Sequence, residues 1–224
     1  KVFITTAHRG QNDPRDPQLS TPGVGRADVW VFNANSLSAA PSIITLFCDT
    51  PRSLAVSGDG TKVYAAAFHS GSQTTCLHAR AVTDAPADNA RINDGFTGLR
   101  APPPSADADG VPAPEMGLIL KFDGSKWVDE LGRDWTDRTR FNLPDKDVFV
   151  IDAAQDPPVE TASVAHVGTI LFNLAVSPAT GKIYVSNLES LNHVRFEPVV
   201  NGHFAENRIA IINGSSSTSV HLDS

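Results

Sequence analysis

The sequence predicts an all-β fold made of a repeated unit of four short antiparallel strands. Residues 50–69 alternate apolar and polar side chains at period two on both sides of the turn residues 57–60, which is the pattern of a β-hairpin. The same pattern returns 120 residues later, at residues 173–187, with Leu174 in the place of Leu54. Matches that keep one offset through a turn of equal length indicate a repeat. A repeat unit of about 45 residues with four short strands is typical of one β-propeller blade.

The composition agrees with short strands joined by many turns. Hydrophobic residues make up 41% of the 224 residues and aromatic residues only 7%, with 16 Gly and 16 Pro. The formal net charge is -7 and no run of Lys or Arg occurs, so we expect no nucleic-acid partner. Because no stretch approaches the about 18 apolar residues of a membrane helix, we also expect no membrane span.

We label the strands of a blade A to D, with A nearest the propeller axis. Offsets of 61 and 119 residues extend the repeat beyond the first hairpin. The predicted strands of the first unit are B at residues 1–6, C at 28–33 and D at 42–47. Those of the second unit are A at 52–57, B at 62–68, C at 147–152 and D at 159–164. Those of the third unit are A at 169–176, B at 182–187 and C at 208–213.

This order of strands amounts to about two and a half blades, whereas propellers close with about four to eight. The final Ser- and Thr-rich residues show no core pattern. We therefore expect residues 1–224 to form one incomplete propeller domain that is a fragment, or the ordered part, of a longer chain or assembly. Its predicted partners are the remaining blades, supplied by that chain or by another subunit.

A long insertion at residues 70–145 separates strands B and C of the middle blade. Residues 79–114 are rich in Ala, Asp, Pro and Gly without periodicity, which predicts an exposed loop. Residues 116–130 instead predict a second hairpin, with Asp123 and Gly124 as its turn.

Residues 51–64 resemble the repeat signature of YVTN-type bacterial β-propellers, and residues 181–187 resemble its second half. Residues 21–32 and 143–152 are similar to runs in large secreted propellers of that group, some of which carry a cytochrome-c-like segment. The resemblance implies an extracellular or periplasmic location. The chain has no Cys-x-x-Cys-His, so no haem is expected on this segment.

The repeat also selects a candidate metal site. His8, His69 and Glu189 are equivalent in the three units, each lying two residues after the sixth position of strand B. Two imidazoles and a carboxylate are ligand types of iron and zinc sites, so the cofactor would be a transition metal. Strand B lies one strand out from the axis, however, which places equivalent positions far apart. The alternative is that the three are loop residues bonded to backbone groups.

In a propeller the D-to-A and B-to-C connections emerge at one end, which we call the loop-rich end. His166 lies in a D-to-A connection, and His193 and Arg195 lie in a B-to-C connection. The three residues are the predicted ligand-binding surface. The alternative is that each is a solvated loop residue.

Both cysteines fall in connections at this same end. Cys48 precedes strand A of the middle blade and Cys76 follows its strand B. A disulfide between them is compatible with an oxidising compartment, and two separate thiols are the alternative.

No catalytic residue is predicted, because the nucleophile-elbow, P-loop and dinucleotide-binding patterns are all absent. The leading hypothesis is a non-catalytic, secreted propeller segment that binds a ligand or partner within a larger surface or periplasmic protein. The first alternative is a metal-dependent, lactonase-like or redox enzyme with its site at the loop-rich end. A purely structural module is the second alternative.

Overall fold

The fold is all-β and propeller-like. The computed structural model describes residues 1–6, 27–69, 73–77, 109–110, 118–129, 132–139, 145–190 and 205–222. In these residues the first strands are β1 (Val2–Thr6), β2 (Ala27–Phe32), β3 (Ser42–Leu46), β4 (Asp49–Val56), β5 (Lys62–His69), β6 (Thr74–Leu77) and β7 (Leu118–Phe122). The others are β8 (Trp127–Val128), β9 (Val148–Asp152), β10 (Val159–Val164), β11 (Ile170–Val176), β12 (Ile183–Ser190), β13 (Ala205–Asn213) and β14 (Ser216–His221).

The chain divides into two units. The first comprises Lys1–Ser72, Phe141–Ser190 and Ala205–Ser224, and the second comprises Gln73–Arg140 and Leu191–Phe204. Most of the predicted insertion thus belongs to the second unit. No helix in the described part of the chain is long and apolar enough to cross a membrane.

Unit 1 contains the predicted blades. β1, β2 and β3 form a three-stranded antiparallel sheet, which is blade 1 with strands B to D. β4, β5, β9 and β10 pair in that order as strands A to D of blade 2. β11 to β14 pair in sequence order as blade 3. The all-β fold of antiparallel four-stranded blades, incomplete as a propeller, is therefore confirmed.

One strand was not predicted. The Ser- and Thr-rich residues near the end of the chain form β14, which pairs with β13 from Ser216 opposite Asn213 to His221 opposite Arg208. Sequence periodicity missed it because Val220 is the strand's single large apolar residue. β14 gives blade 3 a strand D, so the third blade has all four strands.

The register between strands B and C is the same in all three blades. Ile4 pairs with Trp30 in blade 1, as Ala65 pairs with Phe149 in blade 2. Val185 pairs with Ala210 at the corresponding position of blade 3. Since side chains alternate between the two sides of a strand, equal register places equivalent residues on equivalent faces of the blades.

The core of unit 1 lies between successive blades. One cluster joins Val29, Ile44 and Leu46 of blade 1 to Phe149 and Ile151 of blade 2. A second cluster joins the other face of blade 2 to blade 3; its buried members include Ala66, Val148, Val164, Leu174, Val185 and Ile212. Blade 2 is therefore covered on both faces, and a single pairing of His69 with Ile170 connects it to β11.

Unit 2 contains the second predicted hairpin. β7 pairs with β8, and Gly124 between them has a φ of 103°, a left-handed conformation that favours glycine. The Asp123 side chain accepts backbone N–H bonds from Ser125 and Lys126, which closes the turn. β6 pairs with the other edge of β7, and a short 3-10 helix at Thr136–Arg138 follows. The predicted hairpin is confirmed.

Candidate functional site

An Asp or Arg residue stands at the start of strand C in each of the three blades of unit 1. Asp28, Asp147 and Arg208 occupy this position, since Asp147 follows Asp28 by 119 residues and Arg208 follows Asp147 by 61. Because neighbouring strands run in opposite directions, the starts of strand C share the loop-rich end with the D-to-A connections. In blades 2 and 3 these side chains are joined into one polar network.

Asp147 is fully buried at this end. Its Oδ2 accepts hydrogen bonds from the backbone N–H groups of Val167 at 2.6 Å and Gly168 at 3.3 Å, in the connection to blade 3. Burial and, to a smaller extent, the charge of Asp145 raise the pKa of Asp147 to about 9, in spite of the lowering effect of the Val167 and Gly168 N–H groups. At neutral pH the Asp147 carboxyl is therefore protonated, so it can donate a hydrogen bond as well as accept them.

Asp145 connects this buried carboxyl to the surface. Its Oδ2 lies 2.7 Å from Nδ1 of His166, and its Oδ1 accepts a hydrogen bond of 3.2 Å from the His166 backbone N–H. The Asp145 side chain is nearly buried, whereas that of His166 is 75% exposed. His166 has a φ of 58°, so two bonds from Asp145 hold a non-glycine residue in a left-handed conformation. The result is an oriented, solvent-accessible imidazole.

Arg208 and Glu189 form the second half of the network. Nη2 of Arg208 lies 2.9 Å from Oε2 of Glu189, and both side chains are largely buried. The same nitrogen donates to the carbonyl of Val167 at 3.2 Å. Val167 thus bonds to Asp147 through its N–H and to Arg208 through its C=O. One connection between blades 2 and 3 is therefore hydrogen-bonded both to the protonated Asp147 carboxyl and to the Arg208–Glu189 ion pair.

Gly168 allows the blades to come this close. A Cβ placed on Gly168 would lie 2.4 Å from Oδ1 of Asn187, which is far inside van der Waals contact. Asn187 is itself buried and donates to the carbonyl of Val185 at 3.1 Å. The close approach explains a glycine at this position without any need for an unusual φ.

No family model matches the sequence, and no curated protein matches it. Among solved structures, the chain is similar to Kuenenia stuttgartiensis hydrazine synthase, at a TM-score of 0.33 and 16% sequence identity. The match covers 88% of this chain and 48% of that chain, so this chain spans about half the length of its counterpart. A TM-score this low supports neither an activity nor a partner for the chain.

The predicted metal site is not assembled within the described residues. No group of three His, Cys, Asp or Glu side chains there could hold a metal ion. Glu189 forms an ion pair with Arg208, and His69 stacks edge-on against Phe68 with ring centroids 4.7 Å apart. His8 lies outside the described residues, so the metal site stays a prediction.

The predicted ligand-binding surface is described only at His166. That residue lies in the β10–β11 connection at the loop-rich end, bonded to Asp145. His193 and Arg195 lie outside the described residues. Cys48 is buried in the β3–β4 connection, but the Cys76 side chain also lies outside them, so the disulfide stays a prediction.

Sequence reasoning missed Asp145, Asp147 and Arg208. A signal existed for two of them, because Asp28 and Asp147 begin matching strands and Arg208 holds the same place in the third. Nothing in the sequence marked the backbone N–H groups of Val167 and Gly168 as their partners. Chemically, the network offers a protonated carboxyl, a fixed imidazole and a largely buried guanidinium, which are groups that bind polar ligands.

Proposed function

We propose that the chain is a scaffold and binding module of a larger YVTN-type β-propeller in a secreted or periplasmic bacterial protein. Further blades, from the same chain or from another subunit, would cover its two outer faces. The loop-rich end would bind the ligand through the network around His166 and Asp147. One observation carries the proposal. Apolar positions that are buried where two blades of unit 1 pack together are exposed at the equivalent positions on the outer faces of blades 1 and 3.

The outer face of blade 1 shows this difference. Ile4 is 47% exposed, whereas the equivalent residues Ala65 in blade 2 and Val185 in blade 3 are both 0% exposed. Those two residues are buried because the preceding blade packs against them. Ile4, with a larger apolar side chain than Ala65, has no such cover among the residues of unit 1 that the structure describes. An apolar position of this kind is stabilised by a further blade.

The outer face of blade 3, on the side away from blade 2, shows the same difference in exposure. Val220 in β14 is 50% exposed, whereas its equivalents are 4% exposed at Val164 and 7% exposed at Ile44. Those two residues face the following blade. Both outer faces therefore continue an interface that already exists twice inside unit 1, and a sheet with the apolar face of a blade fits each of them.

Covalent footprinting of the native protein tests the proposal. We expect Ile4 and Val220 to be protected from a carbene label, and Leu37, an exposed residue in the turn after β2, to be labelled. The variant Ile4→Asp should reduce the native mass or release a partner, whereas Leu37→Asp should leave the mass unchanged. Equal labelling of all three residues, in a particle with the mass of the 23.8 kDa chain alone, would overturn the proposal.

The binding part of the proposal has its own test. The variant His166→Gln removes the imidazole but keeps a polar side chain at the loop-rich end. We expect it to weaken capture of the native ligand or partner while leaving the protection of Ile4 intact. Lys62→Gln, at an exposed residue that begins β5 at the opposite end of blade 2, is the control.

A further inference from the structure

The innermost strands of blades 2 and 3 are bulged at the same position. The register of β4 against β5 shifts between Pro51 and Ser53, and that of β11 against β12 shifts between Leu171 and Asn173. The residues at the two bulges are therefore Arg52 and Phe172, which are 120 residues apart and equivalent in the repeat. A β-bulge redirects a side chain away from the regular ladder.

The two redirected side chains meet a third on the neighbouring strand. The guanidinium carbon of Arg52 lies 4.7 Å from the ring centroid of Phe68, which is a cation–π distance. The ring of Phe68 lies 5.9 Å from that of Phe172 in an edge-to-face arrangement. Arg52, Phe68 and Phe172 thus form a continuous group across two blades, which we call the bulge cluster.

The bulge cluster is open to a ligand. Arg52 and Phe172 are exposed, and Phe68 is half-buried between them. No carboxylate or carbonyl in the described ranges of the chain accepts a hydrogen bond from Arg52. Phe68 instead contacts the guanidinium through its ring and leaves the guanidinium N–H groups unused within those ranges. A planar, oriented guanidinium fits a carboxylate through two parallel hydrogen bonds.

We propose that the bulge cluster binds an aromatic carboxylate, with Arg52 holding the carboxylate and Phe172 packing against the ring. Arg52 supplies the charge and the two donors, and the Phe68 and Phe172 rings supply an apolar, aromatic surface beside it. The inference rests on the proposed binding function and names the chemical class of one ligand. It uses none of the residues in the network around His166.

Calorimetric titration of the native protein with benzoate tests the site. We expect saturable binding that Arg52→Gln weakens about tenfold, because a charge-assisted pair is lost. Phe172→Leu keeps the apolar volume but removes the ring, so it should weaken benzoate several-fold and leave cyclohexanecarboxylate nearly unchanged. Lys182→Gln, at the turn between β11 and β12, removes one positive charge at the opposite end of the strands and is the matched control.

Three results would overturn the assignment. Benzoate could fail to bind the native protein, bind Arg52→Gln as tightly as the native protein, or be displaced by equimolar inorganic phosphate, which would indicate a simple anion site. Circular dichroism of each variant separates loss of the site from loss of the fold. Failure here is distinguishable from failure of the proposed function, because the footprinting of Ile4 and Val220 does not depend on benzoate.

Discussion

Ser53 Oγ donates a hydrogen bond of 2.6 Å to Oδ1 of Asn173, and the two residues occupy the same position in neighbouring blades. Both stand directly after the bulge of their strand, 120 residues apart. Ser53 Oγ also accepts a hydrogen bond of 3.1 Å from the backbone N–H of Leu174. Equivalent residues of two neighbouring blades thus link the innermost strands directly.

Replacing Ser53 by Ala should destabilise unit 1 by about 1 to 2 kcal/mol, because it removes a buried donor and an acceptor between the blades. Urea denaturation followed by far-UV circular dichroism measures the change. Ser38→Ala, at an exposed position in the turn before β3, is the control and should be nearly neutral. A loss for Ser53→Ala no larger than that of the control would contradict the role given to the Ser53–Asn173 bond.

Gly168→Ala should be more damaging. Its added methyl would lie 2.4 Å from Oδ1 of the buried Asn187, so either the β10–β11 connection or the Asn187 side chain has to move. We expect a loss of about 1 to 3 kcal/mol, the usual range for overpacking. Gly58→Ala is the matched control, since its new Cβ would be 3.9 Å from the Pro178 carbonyl oxygen. If both variants unfold at the same urea concentration, the close approach at Gly168 does not limit the stability of the fold.

Sequence patterns predicted the blades because strand alternation and repeat offsets can both be read directly from the sequence. Leu54 and Leu174 revealed the repeat, and the structure gives strands B and C equal register in all three blades. β14 escaped because a strand at the outer edge of a blade needs few apolar side chains, and it has only Val220. Prediction thus succeeded for strands that carry the core and failed for an edge strand.

The polar network was less predictable. Its centre, Asp147, is held by backbone N–H groups of Val167 and Gly168, and backbone groups leave no trace in the sequence. Asp145 orients His166, but in the sequence it is simply the last residue of the predicted insertion. The sequence offered titratable residues at one end of the blades, but which of them meet is decided by the packing of blade 2 against blade 3.

The protonated Asp147 gives a signed pH prediction. Its pKa is about 9 in the folded protein and near 4 in the unfolded chain, so the folded state binds more protons between these values. The contribution of Asp147 to stability is therefore full below pH 4 and is lost as the pH rises towards 9. Asp147→Asn resembles the protonated form and keeps an acceptor for the Val167 N–H.

We expect Asp147→Asn to flatten the fall in unfolding free energy between pH 5 and pH 9, and to be more stable than the wild type at the upper end. Urea denaturation at one-unit intervals of pH measures this. Asp156→Asn, which removes a carboxylate whose side chain is 91% exposed, controls for the loss of a surface charge. Parallel pH profiles for wild type and Asp147→Asn would show that Asp147 is ionised in the folded state.

Asp129 gives the opposite pH dependence in unit 2. Its carboxylate accepts hydrogen bonds from the Arg133 N–H at 2.9 Å, Arg133 Nε at 2.7 Å and Trp135 Nε1 at 2.9 Å. Burial alone would raise the pKa of Asp129, but these bonds outweigh it and lower the pKa. The stability that Asp129 contributes is therefore present above pH 4 and is lost as the pH falls through its lowered pKa.

Asp129→Ala should destabilise unit 2 by about 3 kcal/mol, because the buried Trp135 Nε1 and the Arg133 guanidinium would each lose their hydrogen bond to the Asp129 carboxylate. Trp135 is fully buried, so its fluorescence should shift to longer wavelength when the hairpin and the 3-10 helix separate. Acid titration of the wild type should produce the same shift below pH 4. Asp137→Ala, at an exposed carboxylate of that helix, is the control, and an equal shift in this control would remove the special role of Asp129.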